Sequence, residues 1–559
     1  MPIYLGLDCG TQSLNALAVE IEGLERRVLF EHSLPFDEAF PRYGTRHGVY
    51  REEDPLVVTS SPLMWADALD TMLGRAAEAL GPDVGRVAAV SGSAQQHGSV
   101  YLRAGADARL ASLDPSRPLA GQLEGAFAVE RSPVWMDAST GPWCAAITEA
   151  VGGPEVLARH TGSRAFERFT GPQIRKLRET RPAAWAETDR VHLVSSYLAT
   201  LLLGSHAPVD RGDGAGMNLL DLHTGDWWEP ALLATAPGLR AKLPRPVPSD
   251  TVVGRLHPYW AGRHGLPRCR VVAWTGDNPS SLIGLGVVGT GTTAISLGTS
   301  DTVFTIMTEP SVDPAGTAHV FGAPTGGFMS LVCFRNGSLA RERVKDRFGL
   351  DWAGFSSALR ATPPGNRGAL MIPWFEAEIT PPVARPVPLT EGLDDEDGPA
   401  WVRACVEGQM VAMRRHSSWA APDVVRIHAT GGAARNRELL QVMADVFEAP
   451  VHVVDVRNAA CLGAALRAAH ADLSAVGPGD PGPPRGGAPG RKDSLRSRGG
   501  EAGWAEVLKG FVVGPREGAI EPRSGAGEVY RALSRKHAAL EARALGGTPA
   551  RLSTSRWPR

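Results

Sequence analysis

The chain has 559 residues, and single hydrophobic cores stop growing at roughly 250–300, so two large domains are expected. Hydrophobic residues at 43% and charged residues at 21% are typical of folded globular proteins and exclude a wholly disordered, collagen-like or coiled-coil chain. Lys and Arg number 58 against 60 Asp and Glu, a formal charge of −2, so no global field draws the chain to nucleic acid or to an anionic membrane; an anionic ligand must be held by local groups.

The opening MPIYLGLDCGTQS has no basic n-region, apolar h-region or small-residue cleavage site, so no signal peptide is expected. No run of about 18 apolar residues is present to span a bilayer. The six cysteines, Cys9, Cys144, Cys269, Cys333, Cys405 and Cys461, stand singly without CxxC spacing, which suggests neither a zinc site nor a disulfide framework. A reduced cytoplasm is the expected compartment.

In chain order, the apolar run Tyr4 to Asp8, the turn Cys-Gly-Thr-Gln-Ser and the second apolar run from Leu14 predict a β-hairpin. Val87-Ala-Ala-Val-Ser and Arg270-Val-Val-Ala-Trp274 predict buried strands, each entering a polar or glycine-containing turn. Thr293 to Ser300 and then Asp301 to Met307 repeat the first pattern: apolar strand, Gly-Thr-Ser turn, apolar strand. Two such hairpins far apart suggest two related halves facing one cleft. Leu439, Leu440, Met443, Val446 and Phe447 fall at helical spacing, so Arg437 to Phe447 should be an amphipathic helix, with Gly431-Gly432 just ahead of it.

No GxxxxGK[ST] is present, so a phosphate must be cradled some other way. Gly284-Leu-Gly-Val-Val-Gly289 matches GxGxxG, but it runs towards a strand instead of opening a helix, which argues against a dinucleotide site. Successive N–H groups in a Gly-Thr turn can point at one anion, with a Thr or Ser hydroxyl as a further donor. Either hairpin alone could be an ordinary β-turn; their duplication, with Asp8 ahead of one, favours the anion reading.

The order Asp8-Cys-Gly-Thr, Ser91-Gly-Ser-Ala-Gln-Gln-His-Gly98, Trp135-Met-Asp137, Phe169-Thr-Gly-Pro-Gln173, Gly276-Asp-Asn278, Ser296-Leu-Gly-Thr-Ser300 and Thr430-Gly-Gly-Ala433 resembles the FGGY carbohydrate kinases over nearly the whole chain. The resemblance implies an α/β fold of two actin-like (ribonuclease H-like) ATPase domains, with ATP and a sugar in the cleft between them. It implies transfer of the γ-phosphoryl group to a sugar hydroxyl. D-xylulose is the expected acceptor; ribulose, another ketose, a polyol such as glycerol, or a sensor that binds sugar and ATP without turnover stay open.

By the same resemblance Asp277 is the general base, the alternative being a helix cap. Asp8 holds Mg²⁺, a hard cation that prefers oxygen ligands. Gly10, Thr11 and Gln12 approach the transferring phosphate, while Gly298, Thr299 and Ser300 hold the nucleotide phosphates. Gly431, Gly432 and Asn436 form the adenine end, with Asn336-Gly-Ser338 a possible border and a plain helix-entry turn as the alternative for the glycines. His97, Arg168, Asp277 and Asn278 bind the sugar; Gln96 could replace His97, and Arg164 could replace Arg168. Asp137 is a weaker sugar candidate. Asp210 and Asp213 are rival carboxylates expected to be structural or peripheral. The run Met371-Ile-Pro-Trp-Phe-Glu-Ala-Glu-Ile-Thr-Pro381 departs from the Leu-Pro-Tyr-x-x-Gly-Glu-Arg-x-Pro form of bacterial relatives, so that loop is assigned no role.

The expected division is a sugar-binding half over 1–245, ending at the Pro-rich Leu243 to Ser249, and a nucleotide-binding half over 246–475. A low-complexity insertion over 476–503 is expected to be disordered, and 504–559 a helical segment completing the second half. Deleting the insertion is expected to leave turnover intact in a kinase assay; loss of folding or activity would give that segment a structural part.

Overall fold

The computed structural model describes residues 1–22, 25–313, 315–474, 501–512 and 518–546. Its first large sheet uses β1 (Ile3–Cys9), β2 (Ser13–Glu22), β3 (Glu25–Pro35), β4 (Val87–Ala94), β5 (Val252–Arg255), β6 (Arg270–Val272) and β7 (Thr275–Gly276). Their order is β5-β6-β4-β1-β2-β3, with β7 paired to the end of β4. The hairpin β1–β2 is antiparallel with Asp8 opposite Asn15, while β4 runs parallel to β1 with Ser93 opposite Asp8. β1 is apolar on both faces because both are covered: α1 (Pro62–Leu80) packs one side through Trp65, Leu69 and Met72 in the core that holds Leu5 and Leu7.

The second sheet repeats the plan. β8 (Thr292–Leu297), β9 (Asp301–Met307), β10 (His319–Gly322), β11 (Phe328–Phe334), β12 (Arg426–Thr430) and β13 (Val451–Val453) lie in the order β10-β11-β9-β8-β12-β13. β8 pairs antiparallel with β9 and parallel with β12, as β1 does with β2 and β4. The duplicated hairpin therefore marks a duplicated sheet. β5, β6 and β7 follow the Pro-rich stretch at 243–249 yet hydrogen-bond into the first sheet, which is thus completed by residues beyond the expected division at 245.

β7 runs directly into α2 (Asp277–Gly284), and the GxGxxG match begins where this helix ends, so it opens no helix. The second sheet is covered by α3 (Gly398–Ser417), α4 (Arg437–Phe447) and, later in the chain, a helix over Ala526–Gly546. α4 takes the expected bounds: Asn436 caps it, accepting from the N–H of Glu438 and Leu439 at 3.1 Å each, and the left-handed Glu448 ends it. Leu439, Leu440, Met443, Val446 and Phe447 are buried, each contributing roughly 1.5–3 kcal/mol.

α5 (Ala459–Ser474) returns to the first half and packs on β1, β2 and β4 as well as on α2. Its buried Arg467 donates to the carbonyls of Gly92, Ser249 and Ala273, pinning the helix under the strands that lead to Asp277. The insertion expected over 476–503 lies, for 476–500, outside the described residues. Residues 501–503 open α6 (Glu501–Leu508), because Trp504 and Val507 bury against Tyr4, Val19 and Leu466; the expected limit at 503 moves back accordingly. α7 (Ala526–Gly546) packs on α3 and α4 and so belongs with the second sheet, whereas α6 packs on α5 beside the first.

The α2–α5 contact admits no side chain at its closest point: a Cβ on Gly463 would stand 1.9 Å from the Ser280 carbonyl oxygen. Gly463→Ala is expected to push the helices apart, lowering stability by about 1–3 kcal/mol in urea denaturation and reducing turnover because α2 begins at Asp277. Unchanged stability and turnover would mean that the helices can separate without cost.

Candidate active site

Asp8 stands at the end of β1 and Asp277 at the start of α2, and both face one cleft of about 660 Å³. The opposite wall is built by Ser296 and Thr302 on the second hairpin, by Thr430 at the end of β12 and by Gly431 and Gly432 after it. Among the described residues no cluster of three or more His, Cys, Asp or Glu is placed to hold a metal. Ser93 Oγ donates to Asp8 Oδ1 at 2.8 Å. Burial pushes the Asp8 carboxyl up to about 6, against the hydrogen bonds of Ser93 and Asn15. Burial and then the Asp8 charge push Asp277 up to about 7. Asn278 donates to Asp277 Oδ1 from its backbone N at 2.8 Å and from Nδ2 at 3.1 Å, which leaves Oδ2 to receive a proton. A carboxylate that titrates near neutrality beside open space is equipped for general-base work.

Asn278 Nδ2 also donates to Gln96 Oε1 at 2.8 Å, joining Asp277 to the loop that carries His97. His97 takes a left-handed φ of 72°, an uncommon backbone for a residue of its size. Its Nδ1 lies 2.7 Å from the Gly216 carbonyl, which can only accept, so the proton is on Nδ1 and Nε2 is an acceptor. Burial and then the Arg168 charge push this imidazole down to about 3, so it stays neutral. Phe169 packs against it at 4.7 Å. Arg168 donates to His319 Nε2 at 2.8 Å, and His319 belongs to β10 of the second sheet. Arg164 and Arg168 both lie over the Phe166 ring, each 4.9 Å from its centroid, and Arg164 also lines a second hollow with Cys144 and Glu167. His319 has no sequence signal: it is one histidine at the start of a short strand, and only the folding of β10 against residues 162–168 brings it here.

The rival carboxylates are engaged elsewhere. Asp210 accepts from Thr275 Oγ1 at 2.6 Å, from the Asp213 N–H at 2.7 Å and from Ser249 Oγ. Asp213 accepts from Ser195, and burial with the charges of Asp210 and Asp277 pushes its carboxyl well above the usual carboxylate range. Asp137 is filled by Ser139, by Gln173 at 2.8 Å and by the Val58 N–H at 3.2 Å, which makes it structural.

The two turns differ in support. Thr11 Oγ1 accepts from Trp135 Nε1 at 2.8 Å, Gly10 closes the β1–β2 turn through Ser13 at 3.0 Å, and Gln12 is exposed. In the second turn Gly298 is half-buried and Thr299 and Ser300 are exposed, between cleft-lining Ser296 and Thr302. Gly431 has φ 90°, and a Cβ there would stand 2.5 Å from the Leu297 carbonyl, so only glycine brings this backbone against β8. Asn436 does not line the cleft; its amide caps α4 and donates to Ser356 at 3.0 Å. Asn336 is also inward, tied to Glu378. Arg435 and the 453–460 segment line the cleft without having been legible, since a β–α connection announces no ligand in its residue types.

Paired sheets of this topology, with two carboxylates facing a glycine-walled cleft, define an actin-like phosphotransferase. Residues 128–284 match the N-terminal domain, and 293–471 the C-terminal domain, of the FGGY family of carbohydrate kinases. A xylulose kinase of Mus musculus is 41% identical over 552 residues, covering 97% of this chain and 94% of the relative. Xylulose kinase 2 of Arabidopsis thaliana is 42% identical over 494 residues, covering 84% of this chain and 87% of the relative. In fold, the chain is similar to a xylulose kinase from Rhodospirillum rubrum (TM-score 0.77, 21% identity, 97% of this chain and 98% of the other). It is also similar to Plasmodium falciparum glycerol kinase with ADP (TM-score 0.74, 14% identity, 97% and 98%). The chain belongs to the FGGY family of carbohydrate kinases and is an ATP-dependent sugar phosphotransferase.

The raised Asp277 has a consequence for stability. Its folded value of about 7 lies above the ordinary 3.8, so it favours the fold fully below about pH 4, and that support is lost as pH rises through 7. Asp277→Asn in metal-free protein is therefore expected to be more stable than the wild type by about 1–3 kcal/mol at pH 8, with the gap closing towards pH 4 in urea titrations. An equal gap at both values would show that this carboxyl does not titrate in that window.

Proposed function

We propose that this chain is a xylulose kinase, transferring the γ-phosphoryl group of ATP to the terminal hydroxyl of D-xylulose to give D-xylulose 5-phosphate and ADP. The observation that carries the reading is the 41% identity across 97% of the chain to a xylulose kinase, joined to a base-competent Asp277 beside a polar pocket. Arg168 would donate to a sugar oxygen, while Asn278 Oδ1 and neutral His97 Nε2 would accept from sugar hydroxyls, a fixed pattern that penalises a sugar with one hydroxyl misplaced. The attacking hydroxyl gives its proton to Asp277 Oδ2 as its oxygen bonds to phosphorus and the bond to the ADP oxygen breaks.

Gly10, Thr11 and Gln12 approach the transferring phosphate from the first half, and Gly298, Thr299 and Ser300 hold the nucleotide phosphates from the second. Gly431 and Gly432 face the base, with Asn436 supporting them through its cap on α4. Asp8 is an oxygen donor partly open to the cleft and suits Mg²⁺, with phosphate and water oxygens filling its shell. Bound there, the ion supplies charge neutralisation of the phosphates. A cytoplasmic site of action is part of this proposal; what the fold itself says is that no described helix is long and apolar enough to cross a membrane.

The test is ADP release with ATP and Mg²⁺ over D-xylulose, L-xylulose, D-ribulose, L-ribulose, glycerol and gluconate, with a no-sugar blank. Strong preference for D-xylulose is expected, and Asp277→Ala should lower kcat about 10²–10⁴-fold while sugar binding persists. A different preferred acceptor overturns the sugar; normal turnover in the variant overturns the base.

A further inference from the structure

The loop Met371–Pro381, to which the sequence assigned no role, carries a buried carboxylate that no described cation neutralises. Glu378 Oε1 accepts from the Arg335 N–H at 2.6 Å and the Ile379 N–H at 2.7 Å. Its Oε2 accepts from the Asn336 N–H at 3.2 Å and Nδ2 at 2.8 Å. Asn336 is laced back to the same loop, its Oδ1 accepting from the N–H groups of Phe375 at 2.9 Å and Glu376 at 2.8 Å. From α3, Gln409 Nε2 donates to the carbonyls of Asn336 at 2.6 Å and Gly337 at 3.0 Å. Its Oε1 accepts from Arg341, which forms a bidentate pair with Asp301.

This network ends on the second turn. The Ser338 N–H donates to the Gly298 carbonyl at 2.8 Å, and Gly337 packs so tightly that a Cβ there would stand 2.6 Å from the Thr299 carbonyl oxygen. Asp301 is the residue that follows Ser300, so the turn is held at its carbonyls and at its exit by the same buried groups. A planar peptide that presents its C=O on one side presents its N–H on the other. With the Gly298 and Thr299 carbonyls turned onto 337–338, the N–H groups beyond them are directed away from that platform.

We propose that Glu378 is a positioning residue: it locks 335–338 as a platform on which the Gly298–Ser300 turn rests, so that the Thr299 and Ser300 N–H groups meet the nucleotide phosphates. This rests on the reading of that turn as a phosphate site. The charge is required because four N–H donors converge on two oxygens, and an amide offers only one acceptor oxygen and brings two hydrogens of its own.

The test uses the full chain. Hydrogen exchange of the 296–302 backbone with and without ADP and Mg²⁺ first asks whether the turn meets nucleotide; no protection in the wild type would remove the phosphate reading itself. Calorimetry and steady-state kinetics then compare Glu378→Gln with Glu407→Gln, a second buried carboxylate of the same half that serves Gly365, Arg403 and Tyr530 away from the turn. Glu378→Gln is expected to weaken ADP binding and raise KM for ATP about tenfold, with kcat and KM for sugar within about threefold, the pattern of lost ground-state binding. Glu407→Gln is expected to lose stability without that split. Should Glu378→Gln not fold, Gln409→Leu, which removes only the bonds from α3, gives the same readout. Wild-type protection with unchanged ADP affinity in the folded variant, or equal weakening in both glutamate variants, overturns the proposal.

Discussion

The crossing of α2 and α5 sets where Asp277 stands. Gly463 against the Ser280 carbonyl leaves no room for a side chain, and Arg467, one turn further on, ties α5 to the carbonyls of Gly92 and Ala273. Asp277 is the first residue of α2, so its approach to Asp8 at the end of β1 is decided by backbone packing well below the cleft. Ile283 of α2 belongs to the core beneath the first sheet, and Leu282 to the core shared with the second. One helix thus registers both halves against the reacting groups.

Electrostatics then sort residues that look alike in the sequence. Asp210, Asp213 and Asp277 are all aspartates in glycine-containing turns. Asp210 is filled by three donors, and the Asp213 carboxyl is pushed well up by burial and two neighbouring charges. Asp277 alone keeps a free oxygen at open space with a value near neutrality. The same logic makes His97 a neutral acceptor: Gly216 takes its proton-bearing nitrogen, and Arg168 nearby disfavours a second positive charge.

The two hairpins are equivalent in topology but not in how they are held. The first turn is steadied by the Trp135 indole on Thr11, and the second by a buried network running from Glu378 through Asn336 and Gln409 to Asp301. Both devices fix the turn through atoms outside it. Any anion site built on backbone N–H groups needs such support, since a free turn loses its aim by small rotations of a peptide.

Read alone, the sequence determined the duplicated hairpins, the strands before Ser91 and Asp277, the helix Arg437–Phe447 and the family, because each rests on local periodicity or on short ordered motifs. Asp8, His97 and Asp277 stand in those motifs, and Arg168 adjoins one of them. Tertiary structure alone decided that β5 to β7 complete the first sheet, that residues 501–503 are helical, that Asn436 is a cap, and that Arg168 meets His319 of the other sheet. Those outcomes depend on contacts between residues far apart in the chain. Burial, hydrogen-bond partners and the resulting protonation states exist only once distant segments have met, so no local pattern of residue types encodes them.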